Sequence, residues 1–193
     1  YGTTETGGIA VADDSGTPLP TGVVGRPMHG VGVEVGARCQ TNTPGDEPMS
    51  VWVRSSSMMA GYLDDNGLDT SPLDDGWFRT GDLGRIQPSG AIHLLGRETD
   101  VINVAGMKVI PQEVEETIAA LPGVREVKVY PGGDAPGSQC VKAAVVVDGH
   151  VTVDQIREYC EKQLVYYKRP TKILPVEALP RSPTGKIVRE QLP

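Results

Sequence analysis

The stretch GRETDVINVAGMKVIPQEVEE, residues 96–116, decides the fold, because the spacing of apolar residues changes within it. Upstream, apolar and polar residues alternate in short runs, a pattern typical of strands with one buried face. Val114 near its end and Ile118, two residues beyond it, lie four residues apart, on one face of a helix. We therefore predict a domain boundary between Arg97 and Glu98, with a differently built unit on each side.

Residues 1–97 predict a β-rich unit. Three runs alternate apolar and polar residues and are expected to form strands: VGVEVGA (residues 31–37), SVWVRS (residues 50–55) and AIHLLG (residues 91–96). The chain has 24 glycines and 16 prolines but a single phenylalanine, which favours short strands joined by many turns over a helical bundle.

Residues 98–193 predict a small α+β domain. A hairpin that bends at Gly106 leads into a helix with proline in its first turn, and the strands VREVKVY and VKAAVVV follow. Thr152 and Gln155 form a capping box before a second helix, and a strand TKIL and a short final helix after Gly185 complete the order. The predicted fold class is therefore α+β: a β-rich part followed by a small domain with a three-stranded sheet and flanking helices.

The charge balance argues against a nucleic-acid partner. The chain carries 25 acidic and 18 basic residues, a net charge of −7, and it has no run of basic residues that would bind a phosphate backbone. No apolar stretch reaches the length that crosses a membrane, so no membrane partner is expected. Cys39, Cys140 and Cys160 form no CxxC pair, which favours reduced thiols in a cytoplasmic protein over a zinc site.

Two glycine-containing stretches of the β-rich part carry polar groups that suit a nucleotide. In YGTTETGG, residues 1–8, backbone amides and threonine hydroxyls form a cradle for a polyanion, and Glu5 can hold Mg²⁺ against phosphate oxygens. In WFRTGDLG, residues 77–84, Asp82 follows a glycine turn and can accept two hydrogen bonds from a ribose diol. Taken alone, each stretch is more often an ordinary turn.

The stretch PRSPTGKIVREQL, residues 180–192, presents Lys186 on a loop that is stiff near its prolines and open at Thr184 and Gly185. A long cation on such a loop can reach a neighbouring site, although most lysines in loops of this kind are only solvated. The stretch is not a phosphate-binding P-loop, because Pro180 stands at the first glycine of that pattern and isoleucine follows the lysine.

In their order and spacing, these stretches together resemble the C-terminal portion of the adenylate-forming enzyme superfamily, which contains acyl-CoA synthetases, peptide-synthetase adenylation domains and luciferases. YGTTE resembles the aromatic-Gly-x-Thr-Glu motif of the superfamily, and the stretch ending MMAGYL resembles the segment before its GY element. WFRTGDLG, residues 96–116 and PRSPTGK match three further signature motifs in the same order. Within residues 96–116, the sequence INVAGMKVIPQEVEE is most like the form that this motif takes in acyl-CoA ligases.

The resemblance implies two domains of a larger enzyme. Residues 1–97 would be the β-rich C-terminal part of a large nucleotide-binding domain, and residues 98–193 the small mobile C-terminal domain. In the superfamily, the phosphate loop and most of the acyl pocket precede the YGTTE motif. The chain is therefore expected to work with a missing N-terminal part of the same enzyme and to be inactive alone.

The resemblance also implies a reaction and a set of site residues. A small carboxylic acid and ATP, with Mg²⁺, would give acyl-AMP and pyrophosphate, and the thiol of coenzyme A or of carrier-protein phosphopantetheine would then take the acyl group. Lys186 would be catalytic, bridging the substrate carboxylate and the α-phosphate. The residues implied for the nucleotide and its metal are Tyr1 against adenine, Thr4 at the phosphates, Glu5 on Mg²⁺ and Asp82 on the ribose, with Gly2 and Arg97 also in contact with the nucleotide.

The small domain rotates between the two steps in this superfamily, which implies roles for three more residues. The hairpin with Gly106 would line the pantetheine tunnel in the second step, and Lys108 would approach the phosphates of coenzyme A. Thr99 stands at the hinge, where the superfamily usually has Asp or Lys. Because threonine is β-branched and restricts its own side chain, we expect rotation to survive with a shifted balance between the two poses.

Three functions fit these residues. An acyl- or aryl-CoA ligase is the leading interpretation, and the alternatives are an adenylation enzyme that loads a carrier protein and a non-catalytic nucleotide-binding module. The joint presence of the three charged nucleotide-site residues and Lys186 argues against the module. The choice of acid depends on a pocket outside these residues.

Overall fold

The computed structural model describes residues 1–12, 19–36, 49–135 and 138–193. Cys39 and Ala37, the last residue of the first predicted strand, lie outside the described residues. The chain forms two compact units, Tyr1–Thr99 and Asp100–Pro193. The structure thus divides after Thr99, whereas the sequence pattern places the boundary before Glu98; the assignment of the units to domains of a larger enzyme stays a prediction.

The first unit is built from strands. In chain order they are β1 (Gly2–Thr3), β2 (Gly7–Gly8), β3 (Ala10–Val11), β4 (Val23–Pro27), β5 (Gly32–Val35), β6 (Met49–Arg54), β7 (Tyr62–Asp64), β8 (Gly67–Asp69), β9 (Leu73–Asp74), β10 (Trp77–Ile86) and β11 (Ile92–Arg97). Seven of them form a sheet in the order β3-β4-β11-β10-β6-β5, with β9 added to β10. The pairs β1-β2 and β7-β8 are separate two-stranded hairpins.

The long strand β10 organises this sheet because it pairs with three neighbours, β6, β9 and β11. Asp75 and Gly76 connect β9 to β10 with φ angles of 48° and 75°, the left-handed conformations that a two-residue hairpin turn needs. The core of the unit consists of apolar side chains with no exposed surface: Ile9, Val51, Val53 and Ile92.

The three strands predicted for this unit are confirmed, as β5, β6 and β11. The Gly-Asp turn predicted in WFRTGDLG is wrong, because Gly81 and Asp82 lie inside β10. Pairing with β6 before and after these residues, and with β11 from Asp82 onward, keeps them within the strand as an irregular step and not as a chain-reversing turn.

The second unit combines a hairpin, two helices and a sheet. Its elements are β12 (Ile102–Val104), β13 (Met107–Val109), α1 (Pro111–Ala119), β14 (Val124–Ala135), β15 (Ser138–Val147), α2 (Val153–Gln163) and β16 (Lys172–Pro175), with 3-10 turns at Tyr166–Lys168 and Arg189–Gln191. A further 3-10 turn, Glu98–Asp100, contains the division between the units. β14 and β15 pair antiparallel, and β16 runs parallel to β15 because α2 carries the chain back between them.

Both faces of the three-stranded sheet are covered. Alternate residues of a strand point to opposite faces, so Val129 of β14 packs with Ile118 and Ile156 of the helices, whereas Tyr130 packs on the other side. That second side is covered by the segment after β16, through Leu179 and its partly buried neighbours Val176, Ile187 and Leu192. The sheet is therefore a middle layer, and the C-terminal segment is packed onto it.

The predicted α+β fold class is confirmed, including the three-stranded sheet and the two helices. The capping box is present: the Thr152 side chain accepts a hydrogen bond from the Gln155 backbone amide, and the Gln155 side chain accepts one from the Thr152 amide. The predicted final helix is only the single 3-10 turn Arg189–Gln191. Its short length fits the packing of Leu192 on the sheet, which the chain reaches by leaving the helical path.

The two helices are short, with 9 and 11 residues, and neither helix in the described ranges is long and apolar enough to cross a membrane. Cys140 and Cys160 are free thiols. Burial raises the pKa of Cys160 to about 11, which keeps its sulfur neutral and unreactive.

We predict that Ile118→Ala lowers the free energy of unfolding of the second unit by about 2–5 kcal/mol, because it leaves a cavity in a closed core. Urea unfolding followed by circular dichroism measures the change. Val165→Ala is the control, since Val165 is 51% exposed and its truncation should cost less than about 0.5 kcal/mol. Equal losses from both substitutions would contradict this description of the core.

Candidate active site

The YGTTE motif forms a tight hairpin from β1 and β2. Gly2 pairs with Gly8, and a side chain on Gly2 would lie 2.5 Å from the carbonyl oxygen of Gly7, so only glycine fits there. Thr6 is fully buried, and its backbone amide and side-chain hydroxyl both contact the Thr3 hydroxyl, at 3.2 and 2.9 Å. The sequence pattern did not single out Thr6, which is the anchor of this loop.

The segment after β6 holds the other end of the loop. The hydroxyls of Ser55 and Ser57 donate to the carbonyl oxygen of Thr6, at 3.3 and 2.9 Å. The backbone amide of Met59 donates to the carbonyl oxygen of Glu5 at 2.8 Å. With its base and carbonyl groups fixed, the loop presents Thr4 and the Glu5 side chain at its tip, where Thr4 is exposed and Glu5 half-buried.

The Glu5 carboxylate is held in its ionised form. Its backbone amide and the hydroxyl of Tyr62, which donates to Oε1 at 3.0 Å, lower the pKa of this side chain. The described residues contain no group of three or more His, Cys, Asp or Glu side chains placed to share a metal ion. Glu5, with the threonine hydroxyls beside it, is the group of this loop that would hold Mg²⁺, an ion that prefers oxygen ligands.

A bulge in β10 directs Asp82 into the unit. Arg79 pairs with Trp52 and Leu83 with Ser50, so residues 80–82 of β10 face the single residue Val51 of β6. Gly81 takes a φ of 74°, which glycine adopts without strain. The Thr80 hydroxyl donates to the Val51 carbonyl oxygen at 3.0 Å and accepts from the Asp82 amide at 3.1 Å, which satisfies backbone groups that the bulge leaves unpaired.

The Asp82 carboxylate binds two side chains from other parts of the sequence. The Tyr1 hydroxyl donates to Oδ2 at 2.5 Å, and the Arg97 Nε lies 3.2 Å from Oδ1. Arg97 is directly opposite Asp82 in the register of β10 and β11, which explains the ion pair. The Asp82 side chain is 8% exposed and that of Arg97 65%, so the carboxylate is enclosed while most of the guanidinium faces outward.

The environment of Tyr1 keeps its hydroxyl protonated. Burial, followed by the hydrogen bond to Asp82, raises the pKa of Tyr1 well above its ordinary value. The structure thus brings together Tyr1, Asp82 and Arg97, three of the residues implied for nucleotide binding, and Tyr1 lies 81 positions from Asp82 in the sequence. The stacking of the Tyr1 ring on adenine stays a prediction.

In the second unit, Lys186 lies on a rigid turn. The Ser182 amide donates to the Lys186 carbonyl oxygen at 2.7 Å, and the Gly185 amide donates to the Ser182 carbonyl oxygen at 2.8 Å. Arg181 donates to the Gly185 carbonyl oxygen at 3.0 Å and pairs with Glu126 of β14. The Lys186 side chain is exposed, and no carboxylate in the described part of its unit lies within ion-pair distance.

The hairpin of β12 and β13 has an exposed tip and a buried base. Ala105 and Gly106 form its turn with φ angles of 49° and 89°, and the Gly106 amide donates to the Asn103 side chain at 2.8 Å. Ile102 and Val109 are fully buried at the base. The predicted bend at Gly106 is confirmed, and Lys108 is exposed beside it.

The comparisons with known proteins identify the family. Residues 113–186 match the sequence profile of the AMP-binding enzyme C-terminal domain. The chain belongs to the adenylate-forming enzyme superfamily and corresponds to the C-terminal portion of its members. It spans between 28% and 40% of the length of the first curated relatives that it matches.

Three of the matching proteins show what the chain is similar to. The chain is 38% identical over 143 residues to the long-chain-fatty-acid–CoA ligase FadD13 of Mycobacterium tuberculosis, a match over 74% of this chain and 28% of FadD13. The ATP-bound crystal structure of MatB from Rhodopseudomonas palustris matches with a TM-score of 0.83 and 33% identity, over 97% of this chain and 38% of MatB. The amide bond synthetase McbA from Marinactinospora thermotolerans also matches with a TM-score of 0.83, at 32% identity over 99% of this chain and 40% of McbA.

The contact between Tyr1 and Asp82 predicts a pH dependence of stability. A tyrosine whose pKa is raised by folding stabilises the folded state below its ordinary pKa of about 10, and that contribution is lost as the pH rises through the folded-state value. We expect Tyr1→Phe to lower the free energy of unfolding at pH 8 and the difference from wild type to shrink above about pH 10. Urea unfolding at several pH values tests this, with Tyr166→Phe as a control because Tyr166 is 73% exposed. A difference that stayed constant up to pH 11.5 would contradict the assignment.

Proposed function

We propose that this chain is part of an ATP-dependent acyl- or aryl-CoA ligase. In the first step, a carboxylate oxygen of the substrate attacks the α-phosphorus of ATP; an O–P bond forms, the bond to pyrophosphate breaks, and acyl-AMP results. In the second step, the sulfur of a pantetheine thiol attacks the acyl carbon, AMP leaves, and the thiol proton passes to solvent. The match to a CoA ligase and to an ATP-bound structure supports both steps.

The observation that carries the proposal is the enclosed carboxylate of Asp82. An ionised carboxylate offers about four acceptor sites, and Tyr1 and Arg97 occupy two of them, which leaves capacity for the two hydroxyls of a ribose. The outward guanidinium of Arg97 keeps N–H donors for a nucleotide. The same Tyr1 begins the hairpin that carries Thr4 and Glu5, so ribose, phosphate and metal groups are available in one unit.

Lys186 supplies the charge for adenylation in this proposal. Negative charge accumulates around the α-phosphorus as the carboxylate attacks, and a fixed cation stabilises it more strongly where water is excluded. The turn that carries Lys186 is held by backbone hydrogen bonds and by the ion pair of Arg181 with Glu126, so little reorganisation is needed to place the ammonium. Mg²⁺ on Glu5 would add positive charge at the phosphates.

The hairpin of β12 and β13 serves the second step in this proposal. A turn with Ala105 and Gly106 presents backbone but little side-chain bulk, which suits a narrow passage for a pantetheine arm. Lys108 is exposed at the second position of β13 and would meet phosphates of coenzyme A. A cytoplasmic location, where ATP and coenzyme A are both abundant, stays a prediction.

The acceptor of the acyl group has a second candidate class. Because an amide bond synthetase matches as well as MatB does, an amine could replace the thiol in the second step. ATP–pyrophosphate exchange in the intact enzyme with a panel of fatty, aromatic and dicarboxylic acids tests the first step. Product analysis with coenzyme A, a phosphopantetheinylated carrier protein or an amine as acceptor then separates the three outcomes, and no exchange with any acid would leave only a binding module.

We predict that Lys186→Ala in the intact enzyme slows acyl-AMP formation by about 10²- to 10³-fold, the usual effect of losing one electrostatic donor. Thioester formation from supplied acyl-AMP should be largely spared, because the charge of Lys186 is matched to the first transition state. Stopped-flow or quench measurements of the two half-reactions give the result. Lys172→Ala is the matched control, since Lys172 is an exposed lysine of the same unit, and an equal loss in both half-reactions of the Lys186 variant would refute the assignment.

A pair of glycines tests whether the β10 bulge serves the nucleotide. Gly81 and Gly90 have φ angles of 74° and 82°, and a methyl group on either would meet no atom within 4 Å, so both changes to alanine strain only the backbone. We expect each to cost about 1–2 kcal/mol of stability. Only Gly81→Ala should also weaken ATP binding, measured by calorimetry with the intact enzyme, because it disturbs the bulge that places Asp82. Equal ATP affinities for the two variants would contradict this role.

A further inference from the structure

An arginine–carboxylate pair fixes the last part of the first unit. Arg79 of β10 contacts both carboxylate oxygens of Glu98, with Nε to Oε1 at 3.1 Å and Nη2 to Oε2 at 2.7 Å. The same guanidinium donates to the Ser50 hydroxyl at 3.2 Å and lies over the Trp52 ring, 5.8 Å from its centroid. Arg79 is therefore oriented by its own sheet, and through it Glu98 is tied to that sheet.

A second pair of the same kind fixes the first residue of the second unit. The two terminal nitrogens of Arg189 contact the two carboxylate oxygens of Asp100. This pairing raises the pKa of Arg189, with Glu115 of α1 contributing from nearby. Arg189 belongs to the 3-10 turn that follows Lys186, and Ile187 and Leu192 on either side of it pack on the sheet.

We call the Arg79–Glu98 and Arg189–Asp100 pairs the two clamps. Only Thr99 lies between Glu98 and Asp100, the residues that they hold. We infer that Arg79 and Arg189 are positioning residues: they confine the domain rotation that the superfamily resemblance implies to the backbone dihedrals of Thr99, and the Arg189 pair also ties the Lys186 segment to that hinge. This inference rests on the proposed function for its effect on catalysis, and on the superfamily resemblance for the rotation itself. Each clamp lies within its own unit, so a change of pose at Thr99 requires neither to break.

Geometry, rather than stability, is what the clamps provide. The Arg79 and Arg189 side chains are 52% and 42% exposed, and ion pairs at such exposure contribute little to folding. A two-point contact between a planar guanidinium and a carboxylate does, however, fix direction as well as distance. Without this two-point contact, the backbone dihedrals of Glu98 or Asp100 can change as well. The two units then take more orientations in addition to the one in which Lys186 reaches the α-phosphate.

The test uses the intact enzyme with spin labels on Ser89→Cys and Gln163→Cys, one exposed site in each unit, in a background whose reactive native cysteines are serine. Pulsed electron spin resonance measures the distribution of distances between the labels. We expect narrow peaks for wild type and broad distributions for Arg79→Ala and for Arg189→Ala. Arg157→Ala is the matched control, because it removes an arginine–aspartate pair on α2, and it should leave the peaks narrow.

The rate measurements separate this inference from the proposed function. Acyl-AMP formation should fall by about 10- to 100-fold in Arg189→Ala, as expected for a loosely placed catalytic group, with a thermal unfolding midpoint close to wild type. Arg189→Lys and Arg79→Lys keep the charge but lose the two-point contact, and should also broaden the distances; they decide the matter if an alanine variant folds poorly. Narrow peaks in all four variants would overturn the inference. Absence of ATP–pyrophosphate exchange in wild type would overturn the proposed function alone, since the distance measurement needs no substrate.

Discussion

The candidate nucleotide site depends on one pairing, the antiparallel register that places Asp82 of β10 opposite Arg97 of β11. A carboxylate that is 8% exposed is costly to bury unless it is paired, and here a guanidinium and a phenol share it. The phenol belongs to the first residue of the YGTTE loop, so the same carboxylate also fixes where that loop begins. Loop, strand and arginine thus form one electrostatic unit, although they are distant in sequence.

In the second unit, packing on the sheet fixes the backbone segment that carries the exposed side chain of Lys186. The sheet has apolar residues on both faces, so it needs two covering layers. The helices supply one layer, and the segment that carries Lys186 supplies the other. Because Ile187 and Leu192 are packed on the sheet, the position of the lysine is set by the burial of its neighbours and does not depend on contacts of its own ammonium group.

The sequence predicted the features that depend on near neighbours along the chain. The capping box of Thr152 and Gln155, the bend at Gly106 and the alternating strands of both units follow from local spacing and local backbone preference, and all are present. The bulge at Gly81 was missed because it arises from the mismatch of β10 with β6, which no pattern within WFRTGDLG records. Thr6, Ser57 and Tyr62 were missed for the same reason, since their contacts join residues about 50 positions apart. The resemblance to the superfamily named the residues of the site, but not the groups that hold them.

The bulge in β10 has a consequence for how this sheet can vary. Upstream of it, Arg79 pairs with Trp52, and downstream Leu83 pairs with Ser50, so the two halves of the strand are out of phase by two residues relative to β6. A deletion of two residues would bring the halves into phase and give a smoother, more regular ladder. That sheet would have no inward carboxylate at its centre. A change that makes the pairing of β10 with β6 regular therefore removes the carboxylate of the candidate site, and keeping that carboxylate requires the irregular pairing.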